Sequence, residues 1–227
     1  MKNKRSSIVS GILKGRFSLL LFSMALMFFV VPLMPSQGLV DTTIQLFSWV
    51  VLFSCLRAIT ERRGFFIFMV VLSVVNIAIG IPEVFSENGG ALFRTAGLLV
   101  RLLYFFLIFL SIMKYVLNKD PVCSDKICGA ISAYILMGII WTVIYGLFEH
   151  LHPGSFSGSG VNAGGGMWAL YFSFTTLTTL GYGDITPVLP AAQSYAIMEA
   201  ACGQIFLTVL VARLVALQII HSKNESE

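Results

Sequence analysis

Charge is what this sequence is shortest of. Asp, Glu, Lys and Arg make up 11% of its 227 residues, against roughly 25% in an ordinary soluble domain. A chain so poor in charge cannot give a globule a polar surface, and at 57% hydrophobic it belongs in a bilayer. The net charge is only +4, and the basic residues sit in short clusters between apolar runs. That distribution excludes a nucleic-acid surface and describes membrane topology. Cysteine is scarce too: Cys55, Cys123, Cys128 and Cys202 are scattered, two of them inside apolar runs, and imply no disulfide framework. No nucleophile with a paired base, no metal-ligand pair on one helix face and no cofactor motif is present, so neither an enzyme nor a cofactor is expected. The tail at 221–227 is too short for a ligand-binding domain. No cytoplasmic regulator and no small-molecule substrate are expected of this chain.

What is there is a series of apolar runs. Residues 1–16 carry Lys2, Lys4, Arg5, Lys14 and Arg16 and no acid, followed by an apolar run at 17–31. The run ends in Val31-Pro32-Leu33-Met34-Pro35 without the small-x-small pattern of a cleaved signal, so it reads as an uncleaved first span. Further runs cover 39–59, 64–81, 91–117, 127–148 and 191–220. Each can cross a hydrocarbon core of ~30 Å at ~1.5 Å per residue. Arg62 and Arg63 follow span two, Lys119 and Lys126 follow span four, and Lys223 follows span six; the opposite loops hold Glu83, Glu87, Glu149 and Asp184 but no Lys or Arg. Six spans with both termini in the cytoplasm satisfy both distributions. The pairs Cys123/Cys128 and His150/His152 then lie on opposite sides of the membrane and cannot share a metal.

A Gly/Ser-rich stretch to Gly166 separates spans five and six, and a shorter apolar segment at 167–180 follows it. Too short to cross, that segment reads as a re-entrant half-helix. It leads into Thr175-Thr176-Leu177-Thr178-Thr179-Leu180-Gly181-Tyr182-Gly183-Asp184. The central Thr-Leu-Gly-Tyr-Gly-Asp resembles the selectivity filter of potassium channels, and the resemblance extends over about 127–220. It implies an all-α membrane protein of six transmembrane helices, with a re-entrant pore helix and filter loop between helices five and six. The mechanism it brings is the family's general one: carbonyl oxygens replace the hydration shell of the ion. Thr179, Leu180, Gly181, Tyr182 and Gly183 would form the filter. K+, the transported ion, would be bound by the carbonyls of Thr179, Leu180, Gly181 and Tyr182.

Carbonyls pointing to one side need alternating backbone handedness, for which Gly181 and Gly183 are suited. Asp184 would stand at the outer mouth, and Trp168, Phe172, Thr175 and Thr178 would support the filter, with Tyr182 packing on Trp168 and Phe172. One motif per chain supplies one side of a ring, so a homotetramer in membrane lipid is expected. Gly203 stands where relatives have a gating hinge, with close helix packing an equal reading. The usual filter Val is Leu180 here, and Thr175 stands where some members have a Glu.

Residues 17–118 are expected to form a four-helix, voltage-sensor-like domain, 119–126 a cytoplasmic linker, 127–221 the pore domain and 222–227 a tail. Span four offers only Arg94 and Arg101 as gating charges, seven residues apart, with Lys114 at its inner end. A stepwise ladder is missing, so weak or absent voltage dependence is expected. Glu199, an acid inside span six, should bond the pore-helix threonines or a neighbouring subunit, and Arg213 should face the linker, at Asp120 or Asp125. The localisation expected is the inner or plasma membrane of a bacterium. Competing readings are a poorly selective cation channel and a potassium-uptake transporter subunit.

Overall fold

The computed structural model describes residues 17–30, 33, 63–85, 91–118, 123–158, 160–161 and 167–224. Six helices and one two-stranded ribbon follow in chain order: α1 Ser18–Val30, α2 Arg63–Phe85, α3 Ala91–Val116, α4 Ser124–Leu151, β1 Phe156–Gly158, α5 Met167–Leu177, β2 Ile185–Pro187 and α6 Pro190–Asn224. The helix ends follow local chemistry. Lys114 lies in the last turn of α3 and Asp125 in the first turn of α4, each at the end where its charge complements the helix dipole. Pro190 opens α6, a position where its missing N–H costs no hydrogen bond.

Three of these helices have stretches long and apolar enough to cross a membrane: Arg94–Val116, Ser124–Leu151 and Pro190–Leu217. The chain is a membrane protein. Shorter apolar stretches occupy Ser18–Val30 and Ile67–Asn76, and the expected span at 39–59 lies outside the described residues. The ribbon departs from the expectation of helices alone. Its strands pair antiparallel, with Phe156 opposite Pro187 and Gly158 opposite Ile185.

α4 is the post on which the other elements are hung. Its lower half presents Gly129, Ala130, Ser132 and Ala133, all buried, and small side chains let helices approach closely where lipid supplies no hydrophobic drive. A side chain at Gly129 would touch Val116 of α3 and Phe17 beside α1, 3.3 and 3.5 Å away. Leu20 and Met24 of α1, Met69 of α2, Tyr104 and Ile108 of α3 and Leu136 of α4 form one fully buried core, closed by Leu210 of α6. α1 runs on to the half-helix, where Phe28 meets Phe174 edge-on at 4.8 Å. Thus α1 and α3 both lie against the helix that leads to the half-helix.

A polar junction ties this assembly together where α3 ends and α4 begins. Asp125 accepts the Phe17 N–H at 2.9 Å and the Tyr115 hydroxyl at 3.3 Å. Lys126, only 1% exposed, donates to the Asn118 carbonyl at 2.7 Å, and Arg213 of α6 donates to the Leu117 carbonyl. Two cations therefore serve the carbonyls left over at the C-terminus of α3. Arg213 faces the linker side as expected, but its partner is a main-chain carbonyl in place of an acid. Lys126→Met, which keeps the aliphatic stem, should lower stability by about 1–3 kcal/mol because it removes a charged hydrogen bond to the end of α3. Thermal unfolding in detergent, compared with Lys114→Met at an exposed position, is the measurement.

Candidate functional site

The half-helix α5 covers only 11 residues, roughly 16 Å at ~1.5 Å per residue, and ends inside the fold. Past Leu177 the chain neither continues the helix nor joins a sheet. The Thr178 N–H returns to the Phe174 carbonyl at 3.1 Å, Thr179 to Thr176 at 2.9 Å, and Leu180 and Gly181 both to Thr175 at 2.8 and 3.1 Å. The hydroxyls of Thr175 and Thr178 also turn back, to Phe172 and Phe174 carbonyls at 3.0 and 2.6 Å. The last carbonyls of α5 are thus satisfied by the loop that follows, and the Tyr134 hydroxyl of α4 takes the Leu177 carbonyl at 3.3 Å.

The loop alternates in handedness. Thr179, Gly181 and Gly183 have φ of 59°, 51° and 79°, while Leu180 and Tyr182 between them do not enter the positive region. Two of these positions are glycine, which adopts that conformation freely. Thr179 is β-branched, and holding it there costs about 1–3 kcal/mol, a strain that the surroundings must impose. A backbone that alternates in this way turns successive carbonyls toward a common side. Among the described residues, no hydrogen bond reaches the carbonyls of Thr179, Leu180, Gly181 or Tyr182. The donors of this loop's first half are committed while its acceptors stay free.

Aromatic packing holds the half-helix from behind. Phe156 of β1 contacts Trp168 at 5.1 Å and Phe172 at 5.3 Å, and Tyr145 of α4 meets Phe172 at 5.0 Å. Trp168 and Phe172 are buried in this cluster and do not meet Tyr182 within the chain. The ring against Tyr182 is Tyr171, stacked at 6.5 Å with planes 7° apart. Tyr171 also donates its hydroxyl to Asp184 at 2.8 Å, so one tyrosine holds both the ring and the carboxylate that flank Gly183. Nothing in the sequence singled it out; its place one turn after Trp168 was the available signal. On the far side of the loop, the β1 and β2 ribbon and the Val188 N–H bonded to the Ser155 carbonyl at 2.8 Å fix the descending chain. Glu149, at the end of α4, accepts the N–H groups of Gly154 and Phe156 at 2.7 and 3.1 Å and so anchors the turn that enters β1.

Two glycines set the distance between α5 and its neighbouring helices. A Cβ on Gly203 would lie 2.7 Å from the Leu177 carbonyl oxygen and 2.9 Å from the Leu177 side chain, and one on Gly138 would lie 2.7 Å from the Phe174 ring. Close packing is therefore a role the geometry gives Gly203. Glu199, one turn before it, is fully buried. It bonds Ser173 and Tyr145 at 2.5 and 2.6 Å, a serine of the half-helix and a tyrosine of α4 in place of the threonines. Arg94 and Arg101 lie along α3 and do not join this site.

Residues 133–218 match the family model described as "Ion channel". This segment is similar to ion-channel domains. It runs from within α4, through the half-helix and loop, to the C-terminal half of α6. The chain is 37% identical over 84 residues to a protein named two pore potassium channel c, from Oryza sativa subsp. japonica; the match covers 37% of this chain and 17% of that protein. It is 29% identical over 100 residues to the inward rectifier potassium channel Kirbac3.1 of Paramagnetospirillum magnetotacticum, covering 42% of this chain and 30% of the relative. The chain thus matches less than a third of the length of either relative. No solved structure matches it. The family and these relatives are ion channels and not enzymes.

The close approach at Gly203 gives a direct test. Gly203→Ala should destabilise the fold by about 1–3 kcal/mol through overpacking against a main-chain carbonyl. Gly146→Ala, in the same bundle with open space at its Cβ position, should leave stability unchanged or raise it slightly. Thermal unfolding of the two variants side by side separates them.

Proposed function

We propose that this chain is a potassium channel subunit, with K+ crossing passively through a filter built on residues 179–183. The observation that carries the reading is the left-handed alternation at Thr179, Gly181 and Gly183, next to carbonyls that accept no hydrogen bond among the described residues. A dehydrated K+ needs oxygens to replace its water, and a row of free carbonyls on one side of a loop offers them. The names of the two relatives agree with this ion. Thr179, Leu180, Gly181 and Tyr182 bind K+ through main-chain oxygens, the Thr179 hydroxyl adds the innermost ligand, and Asp184 gathers cations at the outer mouth. The C-terminus of α5 aims its negative dipole end toward the ion.

The working unit in this proposal is a homotetramer. One loop supplies one side of a ring. In the single chain, Leu180 and Tyr182 are 55% and 68% exposed, and Ile197, Ile205, Val209 and Val211 stand bare along α6. An apolar hollow beside the filter, lined by Phe28, Leu170, Phe174, Thr175 and Leu180 among others, is of the kind a neighbouring chain fills. The proposal extends to six spans in a cell membrane with cytoplasmic termini, to a sensor-like 17–118 unit with little voltage dependence, and to Gly203 as a bending point of the gate.

Bilayer recording of purified protein under a K+/Na+ gradient tests the reading. Currents should reverse near the K+ equilibrium potential; reversal near zero with equal total cations would establish the poorly selective alternative. Gly181→Ala should abolish selectivity or conduction, since alanine in the left-handed region costs ~1–2 kcal/mol in each subunit and the ring takes four. Arg94→Gln together with Arg101→Gln should leave the current-voltage relation unchanged. A steep depolarisation-driven rise that disappears in this double variant contradicts the voltage claim.

A further inference from the structure

Glu199 is an acid wholly buried among membrane helices, and the atoms around it count its hydrogens. Tyr145 Oη of α4 is 2.6 Å from Glu199 Oε2, and Ser173 Oγ of α5 is 2.5 Å from Oε1. Ser173 Oγ is also 2.8 Å from the Gly138 carbonyl oxygen of α4. That carbonyl can only accept, and it already takes the Thr142 hydroxyl at 2.9 Å. A serine hydroxyl has one hydrogen to give. With an ionised Glu199, both neighbours of Ser173 Oγ are acceptors, and one of the two contacts sets lone pair against lone pair in a buried site.

One hydrogen on Oε1 removes the conflict. Glu199 donates to Ser173, Ser173 donates to Gly138, and Tyr145 donates to Oε2, so that every donor meets an acceptor. Among the described residues, the other titratable groups facing Glu199 are Tyr145 and Tyr134 of α4, phenols that bring no positive charge. α5 contributes the serine. A carboxylate with hydroxyl partners alone is costly at this depth, which favours the same arrangement.

We propose that Glu199 is a neutral, hydrogen-donating positioning residue: it locks α5 between α4 and α6 and so fixes the height and orientation at which the filter loop leaves the half-helix. Gly203, one turn further along α6, meets the Leu177 carbonyl, so the half-helix is held at Ser173 by a directed bond and at Leu177 by contact. The effect on conduction rests on the channel reading above; the hydrogen order does not.

Two measurements keep these apart. Infrared difference spectra of wild type against Glu199→Gln at neutral pH should show a carboxylic-acid C=O stretch lost in the variant. Loss of carboxylate bands in its place overturns the hydrogen assignment, whatever the protein conducts. In K+/Na+ bilayer recordings, Glu199→Gln should keep the wild-type reversal potential, because its amide donates to Ser173 and its carbonyl accepts from Tyr145. Glu199→Ala should lower K+ preference several-fold, and Ser173→Ala, which removes a single hydroxyl, should do the same if the first variant fails to fold. Gln and Ala variants that behave alike overturn the positioning role. A wild type that reverses near zero defeats the selectivity reading, and the infrared result then decides the hydrogen assignment by itself.

Discussion

A main chain that leaves the helix inside a membrane protein must find partners for its N–H and C=O groups without help from lipid. Residues 178–183 meet that constraint asymmetrically. The first four N–H groups go back to the end of α5, which consumes the carbonyls a helix C-terminus leaves over, while the loop's own carbonyls are kept out of the exchange. The remainder of the described structure can be understood as what this asymmetry requires. Tyr171 holds Asp184 and stacks on Tyr182, the ribbon pins the descending strand, and the Phe156, Trp168 and Phe172 cluster fills the space behind the half-helix. Thr179 is kept in a conformation that a β-branched residue avoids, and these supports surround the segment in which that strain is held.

Much of the site could be read from the letters because its chemistry is local. Glycines two apart announce alternating handedness, and an apolar segment too short to cross announces a half-helix. Thr179 escaped that reading: a non-glycine at positive φ has no signature in composition and is imposed by neighbours. Tyr182 was expected on Trp168 and Phe172, yet those rings turn to Phe156, a residue in the Gly/Ser-rich stretch whose strand pairing depends on Glu149 and on Pro187 far along the chain. Long-range partners of that kind are invisible to spacing. Glu199 was recognisable as an acid in need of a partner, and the half-helix as its direction, but which hydroxyls met it depended on the rotation of α4 and α6 about their axes.

Helix positions fared similarly. The apolar runs at 91–117, 127–148 and 191–220 correspond to α3, α4 and α6 with ends moved by a few residues, since hydropathy marks the bilayer-sized interval while helices extend past it into capping positions. What hydropathy could not give was the packing. The small residues of α4 determine that α1 and α3 lie directly on the helix leading to the half-helix, and the junction of Asp125, Lys126 and Arg213 joins four elements through bonds to main-chain groups, which carry no sequence label.

The meeting of Gly203 with the Leu177 carbonyl also restricts how α6 can travel. Sliding the helix along its axis would bring a neighbouring side chain onto that oxygen, and turning it would present Cys202 or Gln204 there. Neither displacement fits the space that a hydrogen atom now fills. The upper part of α6 is further fastened by Glu199, and the region beyond Leu210 meets the other described elements through Arg213 at Leu117 and through Leu214, which packs against the core. Only a tilt whose fulcrum lies at or beyond Gly203 keeps the half-helix still while the C-terminal half of α6 swings, and such a swing would have to release or carry along the end of α3.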